Sequence, residues 1–218
     1  GKTFDEVIKA ADEVISIDGY NYNSVDKDSI RITTGENIIN IYYVKRKDLS
    51  YKINYLEKDT NAVLRAQKAV SEVEFDTEVR LDAEKVTIDG YVFDSAVPEN
   101  FRVGTNIDSN VMNIYYVKRA DLSYTINYLD SETRESLHDA KVQGNQVLGT
   151  KINANDEIID IDGYEFESVD KMSITIRTGE NVINIYYARR KDLTYTMNFL
   201  EKGTNEVLAD AKVVRGQT

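Results

Sequence analysis

A repeat, read three times along the chain, constrains this sequence more than any other feature. The segments Asn40-Ile-Tyr-Tyr-Val-Lys-Arg46, Asn113-Ile-Tyr-Tyr-Val-Lys-Arg119 and Asn184-Ile-Tyr-Tyr-Ala-Arg-Arg190 recur, and Asp48-Leu49, Asp121-Leu122 and Asp192-Leu193 lie just beyond them. A second signature follows: Tyr51-Lys-Ile-Asn-Tyr-Leu-Glu57, Tyr124-Thr-Ile-Asn-Tyr-Leu-Asp130 and Tyr195-Thr-Met-Asn-Phe-Leu-Glu201. A third, Ile-Asp-Gly-Tyr, occupies positions 17–20, 88–91 and 161–164. Asp48 to Asp121 is 73 residues and Asp121 to Asp192 is 71; Gly19 to Gly90 is 71 and Gly90 to Gly163 is 73. A fixed period of this size makes each copy one small folding unit used repeatedly. Copy two carries two extra residues between Gly90 and Tyr115, and the lone proline, Pro98, places them in a lengthened hairpin loop.

The repeat is out of phase with the chain. Residues 1–47 read as the last two thirds of a unit, 48–120 and 121–191 as complete units, and 192–218 as the first third of another. Gly1-Lys-Thr3 aligns with Gly216-Gln-Thr218, so the chain begins and stops at one point of the repeat. It starts with Gly1, not Met, and carries no apolar leader, which points to a mature or excised segment. The first reading is a piece of a longer array. The alternative is a filament, in which the tail of one chain completes the head of the next.

Within a unit, Tyr51, Ile53 and Tyr55 alternate with Lys52, Asn54 and Leu56. That period of two predicts a half-buried strand with an aromatic inner face. A weaker strand is expected over Leu64–Val70. Thr3-Phe-Asp-Glu6 has the form of a capping box, and Phe4, Val7, Ile8 and Ala11 follow helical spacing, so a short helix is expected over Phe4–Glu13. Copy three lacks this signal at Thr150–Asp156. Asp18-Gly19 and its counterparts mark turns, and strands are expected at Tyr20–Val25, Ser29–Thr33 and Ile38–Lys45. Starting at Tyr51, one unit reads β-β-α-β-β-β: an α+β fold, mainly β, with one short helix on a small mixed sheet. Units of this size have a radius of gyration of roughly 11 Å, so three end to end would form an elongated rod on the order of 100 Å.

Composition narrows the chemistry. With no cysteine and one histidine, His138, the chain has no thiol chemistry, no cysteine–metal site and no Ser-His-Asp arrangement. No catalytic residues, metal site or cofactor emerge, and an enzyme is not expected. No run of apolar residues is long enough to span a membrane. The net charge is −11, distributed as 0, −8 and −3 over residues 1–71, 72–144 and 145–218. Without a basic stripe, nucleic acid is an unsuitable partner.

The ordered set of motifs (Tyr-Thr-Ile-Asn-Tyr-Leu-Asp, a polar turn, Ala-Lys-Val, Ile-Asp-Gly-Tyr, Asn-Ile-Tyr-Tyr-Val-Lys) resembles the MucBP (mucin-binding protein) repeat of Gram-positive cell-surface adhesins. The resemblance covers Asp48–Ala120 and Asp121–Lys191 as full units, with both partial ends. It implies a β-grasp-like, ubiquitin-like fold, an extracellular place at the cell wall, and mucin glycans or other host glycoproteins as partners. Neighbouring repeats of the same protein, and end-to-end self-association, are further partners the framing allows. A purely structural stalk or filament subunit with no ligand is the alternative function.

Sites are weighed on this background. In Tyr42-Tyr43, Tyr115-Tyr116 and Tyr186-Tyr187, strand geometry sends one ring of each pair inward and one outward. Outward rings could stack on sugars, although edge packing also accounts for them. Asp160-Ile-Asp162-Gly163 fails as an EF-hand, because loop positions one and twelve fall on Ile158 and Val169. Gly1-Lys-Thr3 lacks the strand and glycine of a phosphate-binding loop. A Lys–Asn isopeptide staple through Asn54, Asn127 and Asn198 fails because Lys45 and Lys118 become Arg189. The basic clusters Lys45-Arg46-Lys47 and Arg189-Arg190-Lys191, at the unit junctions, are the candidate ligand contacts. Since mucin glycans and this chain are both acidic, binding should rest on hydrogen bonds and stacking and change little with salt.

Overall fold

The computed structural model describes residues 1–216; Gln217 and Thr218, the tail counterparts of Lys2 and Thr3, lie outside the described residues. The chain divides into two compact units, Gly1–Lys118 and Arg119–Thr218. The first opens with β1 (Val7–Lys9), a 3-10 turn at Ala10–Glu13, β2 (Tyr20–Val25), β3 (Ser29–Arg31) and β4 (Ile41–Lys45). It continues with β5 (Leu49–Glu57), β6 (Val63–Val73), β7 (Glu78–Arg80), α1 (Leu81–Glu84), β8 (Tyr91–Val97), β9 (Asn100–Arg102), a 3-10 turn at Ile107–Ser109 and β10 (Val111–Lys118). The second unit holds β11 (Leu122–Asp130), β12 (Ser136–Gln146), β13 (Lys151–Asn153), a 3-10 turn at Ala154–Glu157, β14 (Tyr164–Val169), β15 (Ser173–Thr175), β16 (Val182–Arg189), β17 (Thr194–Leu200) and β18 (Val207–Arg215).

Two four-stranded mixed sheets organise these strands, in the orders β6-β5-β10-β8 and β12-β11-β16-β14. In each, a central pair runs parallel, β10 with β5 and β16 with β11, while the outer strands are antiparallel. The inner face of the first sheet carries Ile53, Tyr55, Met112, Ile114 and Tyr116, all buried. Its cover is the two-stranded ribbon β7–β9, through Val79, with Leu81 and Val103 beside it. In the second unit Ile126, Tyr128, Ile183, Ile185 and Tyr187 face the ribbon β13–β15, with Ala154 and Ile176. Burying one such side chain contributes about 1.5–3 kcal/mol, so these faces hold the units together.

The α+β, β-grasp-like expectation is overturned. Strand makes up 53% of the described residues and helical turns 7%, with one short α-helix and no closed barrel among them. Over Phe4–Glu13 the helix is replaced by β1, paired antiparallel with β3, and a four-residue 3-10 turn. The capping-box bond forms, with the Thr3 amide donating to Glu6 Oε2 at 2.8 Å. Asp5 then adopts φ 66, a conformation no helix tolerates, and the β-branched Val7 and Ile8 take the extended form they favour. Four residues cannot meet the cost of nucleating a stable helix alone. Copy three repeats the arrangement in β13 and its turn. Thus a β-ribbon, not a helix, forms the second layer.

Other boundaries also move. The strand expected at Leu64–Val70 extends over Val63–Val73, and the one expected at Ile38–Lys45 covers only Ile41–Lys45. The two extra residues of copy two are not in the Pro98 hairpin, since β9 and β3 end 12 residues beyond Gly90 and Gly19. They lie after Arg102, where the 3-10 turn Ile107–Ser109 sits. Asn110 closes this loop: its Oδ1 accepts from the Gly104 amide at 2.9 Å, and its Nδ2 donates to the Gly104 carbonyl at 2.8 Å. Asn37 closes the corresponding loop through Thr33, and Asn181 does so through Arg177.

Candidate functional site

The tyrosine pairs divide as strand geometry requires. Tyr116 and Tyr187 are 1% exposed, whereas Tyr115 and Tyr186 are half-buried and Tyr42 is 50% exposed. The inner hydroxyls repeat one device. Tyr43 donates to the Ile15 carbonyl at 2.9 Å, Tyr116 to Val86 at 2.8 Å and Tyr187 to Ile159 at 2.9 Å. Each also accepts from the amide of the same residue. The ring fills the core and the hydroxyl satisfies a chain segment that has no strand partner.

A second device holds a carboxylate under each complete sheet. Glu84 accepts from Lys68 Nζ at 2.6 Å and from the Tyr51 hydroxyl at 3.0 Å. Glu157 accepts from Lys141 Nζ at 2.6 Å and from Tyr124 at 2.8 Å. Both glutamates are buried, and both lysines keep roughly half their side chains in solvent. The hydrogen bond to the glutamate holds each lysine above its ordinary pKa, while burial, then the glutamate, pushes Tyr51 and Tyr124 up. Fully partnered polar groups at the sheet margin fit a structural role.

The candidate basic clusters lie in different surroundings. Lys45 pairs with Asp76 at 3.4 Å, Lys47 with Glu74 at 3.4 Å, and Arg46 makes two bonds to Asp48 at 2.9 and 2.8 Å. Beside them Phe75 packs edge-on to Tyr20, with centroids 5.6 Å apart. Gly19 (φ 80) lies under that ring, and a Cβ there would come within 2.5 Å of it. Arg119–Asp121 and Arg190–Asp192 repeat the two-bond clip. Lys45, Arg46 and Lys47 are thus tied into a packed joint.

Arg189, Arg190 and Lys191 instead line an open groove of about 850 Å³, within the range of small-ligand sites, ~300–1,000 Å³. One wall is the turn after β11, with Ser131, Glu132 and Arg134; the floor is β16, with Tyr186 and Ala188; β14 contributes Tyr164, Glu167 and Ser168. The Arg134 guanidinium lies over the Tyr186 ring, 4.2 Å from its centre, a cation–π contact. Beneath, Asp130 is 4% exposed and accepts from the amides of Glu132 at 2.8 Å and Thr133 at 3.0 Å. Those amide bonds, Thr133 foremost, hold its carboxyl below the usual range; Tyr164 at 3.3 Å and Arg189 at 3.5 Å add to the effect. Arg190 is raised by its bond to Asp192. The groove therefore offers a guanidinium seated over an aromatic ring, further guanidinium donors and carboxylate acceptors, a set suited to a polyhydroxylated ligand.

Arg134 was not singled out from the sequence, although a signal exists. The same turn position holds Asn61 and Asn205 in the other copies, at φ 56 and 60, where asparagine is tolerated; Arg134 sits there at φ 66. A long side chain in that conformation costs on the order of 1–3 kcal/mol and is a pointer to use at a site.

No family model and no curated protein matches the sequence. Among solved structures, the chain is similar to "Streptococcal High Identity Repeats in Tandem (SHIRT) domains 3-4 from cell surface protein", at 10% identity and a TM-score of 0.25, over 64% of this chain and 98% of that one. It is also similar to Mub-RV, at 14% identity and a TM-score of 0.23, over 65% of this chain and 99% of that one. At such TM-scores neither likeness carries a function to this chain. Among the described residues, no helix is long and apolar enough to cross a membrane.

Proposed function

We propose that this chain is a tandem-repeat segment of an extracellular, surface-attached protein, with unit boundaries at 48–120 and 121–191, and that its third copy binds a mucin-type or other host glycan. The observation that carries the reading is the groove in which Arg134 stacks on Tyr186. The Tyr186 ring holds the Arg134 guanidinium in place, and a sugar gains from such fixed, charged hydrogen-bond partners at its hydroxyls. Arg189, Arg190 and Lys191 are the basic rim of this site; Lys45, Arg46 and Lys47 serve the joint. Because the chain carries a net charge of −11, attraction to sialylated or sulfated glycans is local to the groove.

Titration of the full chain with purified mucin and a panel of neutral and acidic glycans, at low and high salt, tests this. Saturable binding that survives high salt is the expected result. No binding at millimolar glycan removes the adhesive role. A structural spacer without a ligand is the second reading, favoured by what recurs among the copies: tyrosine hydroxyls on backbone, asparagine loop clamps and Arg–Asp clips.

A further inference from the structure

In both complete copies the first and last strands are parallel neighbours, so the chain enters at one end of the pair and leaves at the other. Copy two begins with β5 and ends with β10, in register from Lys52 opposite Val111 to Glu57 opposite Tyr116. Copy three begins with β11 and ends with β16, from Thr125 opposite Val182 to Asp130 opposite Tyr187. A pull on the chain at the two borders of a copy therefore drags these strands past each other along their length. All six rows of each seam resist together, whereas a hairpin pulled at its open end loses its rows one at a time. We propose that the complete copies carry tension along the chain, and that this parallel seam is the clamp that keeps each copy closed under force.

The seam is tied at both ends and in the middle. Where the chain enters, the Lys52 amide donates to the Asn110 carbonyl at 2.9 Å and Asn110 Nδ2 to the Ser50 carbonyl at 3.0 Å. Copy three repeats this with Thr125 to Asn181 at 2.8 Å and Asn181 to Ser123 at 3.0 Å. Midway, Asn54 Nδ2 donates to Asn113 Oδ1 at 2.7 Å and Asn127 to Asn184 at 2.8 Å. Where the chain leaves, the amides of Lys58 and Ser131 donate to the carbonyls of Tyr116 and Tyr187, both at 2.9 Å. Salt bridges cross there too, Lys118–Glu57 at 3.4 Å and Arg189–Asp130 at 3.5 Å. Beneath these bonds Ile53, Tyr55, Met112 and Ile114 are buried, and a dry surrounding strengthens the hydrogen bonds it encloses.

The rest of each copy is outside the path of the force. In copy two, β6, β8 and the ribbon β7–β9 lie between the two seam strands in sequence, so they carry force only after the seam opens. The links that deliver the force are short. Three residues join β4 to β5 and three join β10 to β11, and the Arg46–Asp48 and Arg119–Asp121 clips hold them. Tension therefore reaches the seam with little slack. The inference rests on chain order and strand direction within each copy, and is independent of the glycan reading.

Single-molecule force spectroscopy of the full 218-residue chain tests the proposal, and a sequence without cysteine lets thiol handles be placed at chosen sites. Handles at Lys47→Cys and Ala120→Cys, both exposed positions, pull the β5–β10 seam in shear. Handles at Lys47→Cys and Asp108→Cys, also exposed, pull both strands from the same end and peel it. In shear, copy two should open in one event that lengthens the chain by about 200 Å. The force of that event should exceed the peeling force by about threefold or more. Ala120→Cys with Lys191→Cys, against Ala120→Cys with Glu180→Cys, repeats the comparison in copy three, where the same difference is expected. Equal forces in the two directions, or a shear opening that needs less force than peeling, overturns the proposal.

Discussion

The second and third copies, compared side by side, share a skeleton and differ at one edge. Both place an inner tyrosine on a backbone carbonyl, Tyr116 on Val86 and Tyr187 on Ile159. Both close a loop with asparagine and bury a glutamate between lysine and tyrosine. At the turn after the first strand they diverge. Copy two holds Glu57 with Lys118 and Thr60, Lys58 paired to Asp94 at 2.8 Å, and the small Asn61. Copy three replaces this with buried Asp130, Arg134 and an Arg134–Tyr186 stack. What recurs builds the fold; the departure from the repeat marks the candidate site.

The shared skeleton can be broken most strongly at its centre. Ile53→Ala and Ile126→Ala, each at a residue with no exposed surface, should each cost about 2–5 kcal/mol. Amide hydrogen exchange read region by region should show the larger loss of protection in the mutated copy. An equal loss in both copies from either substitution would contradict two separate cores.

A smaller effect is expected at the buried carboxylates. Lys68→Met or Lys141→Met leaves Glu84 or Glu157 without its charged partner, for about 1.5–3 kcal/mol. Urea unfolding measures it, and similar costs in the two copies are expected because the two geometries match.

The smallest expected effect sharpens the difference between the copies. The folded-state pKa of Asp130 is lowered, so its contribution to stability is present above the ordinary carboxylate value of about 4 and is lost as pH falls through the folded value beneath it. Asp130→Asn should therefore lose stability at neutral pH and differ less from the parent at pH 2–3, as thermal melts at several pH values can measure. A difference that does not shrink on acidification would contradict the assigned bonds.

Much of the strand layout was legible in sequence, and for a definite reason. A strand writes its buried face into every second residue, so Tyr51, Ile53 and Tyr55 declare their role, and each tyrosine pair declares one ring in and one out. The helix expected over Phe4–Glu13 failed because Val7 and Ile8 fit both periods in so short a stretch, and pairing with β3 decides between them. The loop insertion was misplaced because Pro98 drew attention, whereas Asn110, which fixes the loop, looks in sequence like any polar residue. The groove was half legible. The basic triplet at 189–191 was visible, but the partnership of Arg134 with Tyr186 joins residues 52 positions apart and appears only when the turn after β11 folds beside β16.

The central claim is that the departure from the repeat, not the repeat itself, makes the site. Calorimetric titration of a mucin glycan that binds the parent chain into Tyr186→Ala and Tyr115→Ala, two variants at the same repeat position, tests it directly. Affinity should fall by about tenfold or more in Tyr186→Ala, in line with the ~1.4 kcal/mol scale of one lost aromatic contact, and stay at the parent value in Tyr115→Ala. Equal losses in the two variants, or no loss in Tyr186→Ala, would contradict it.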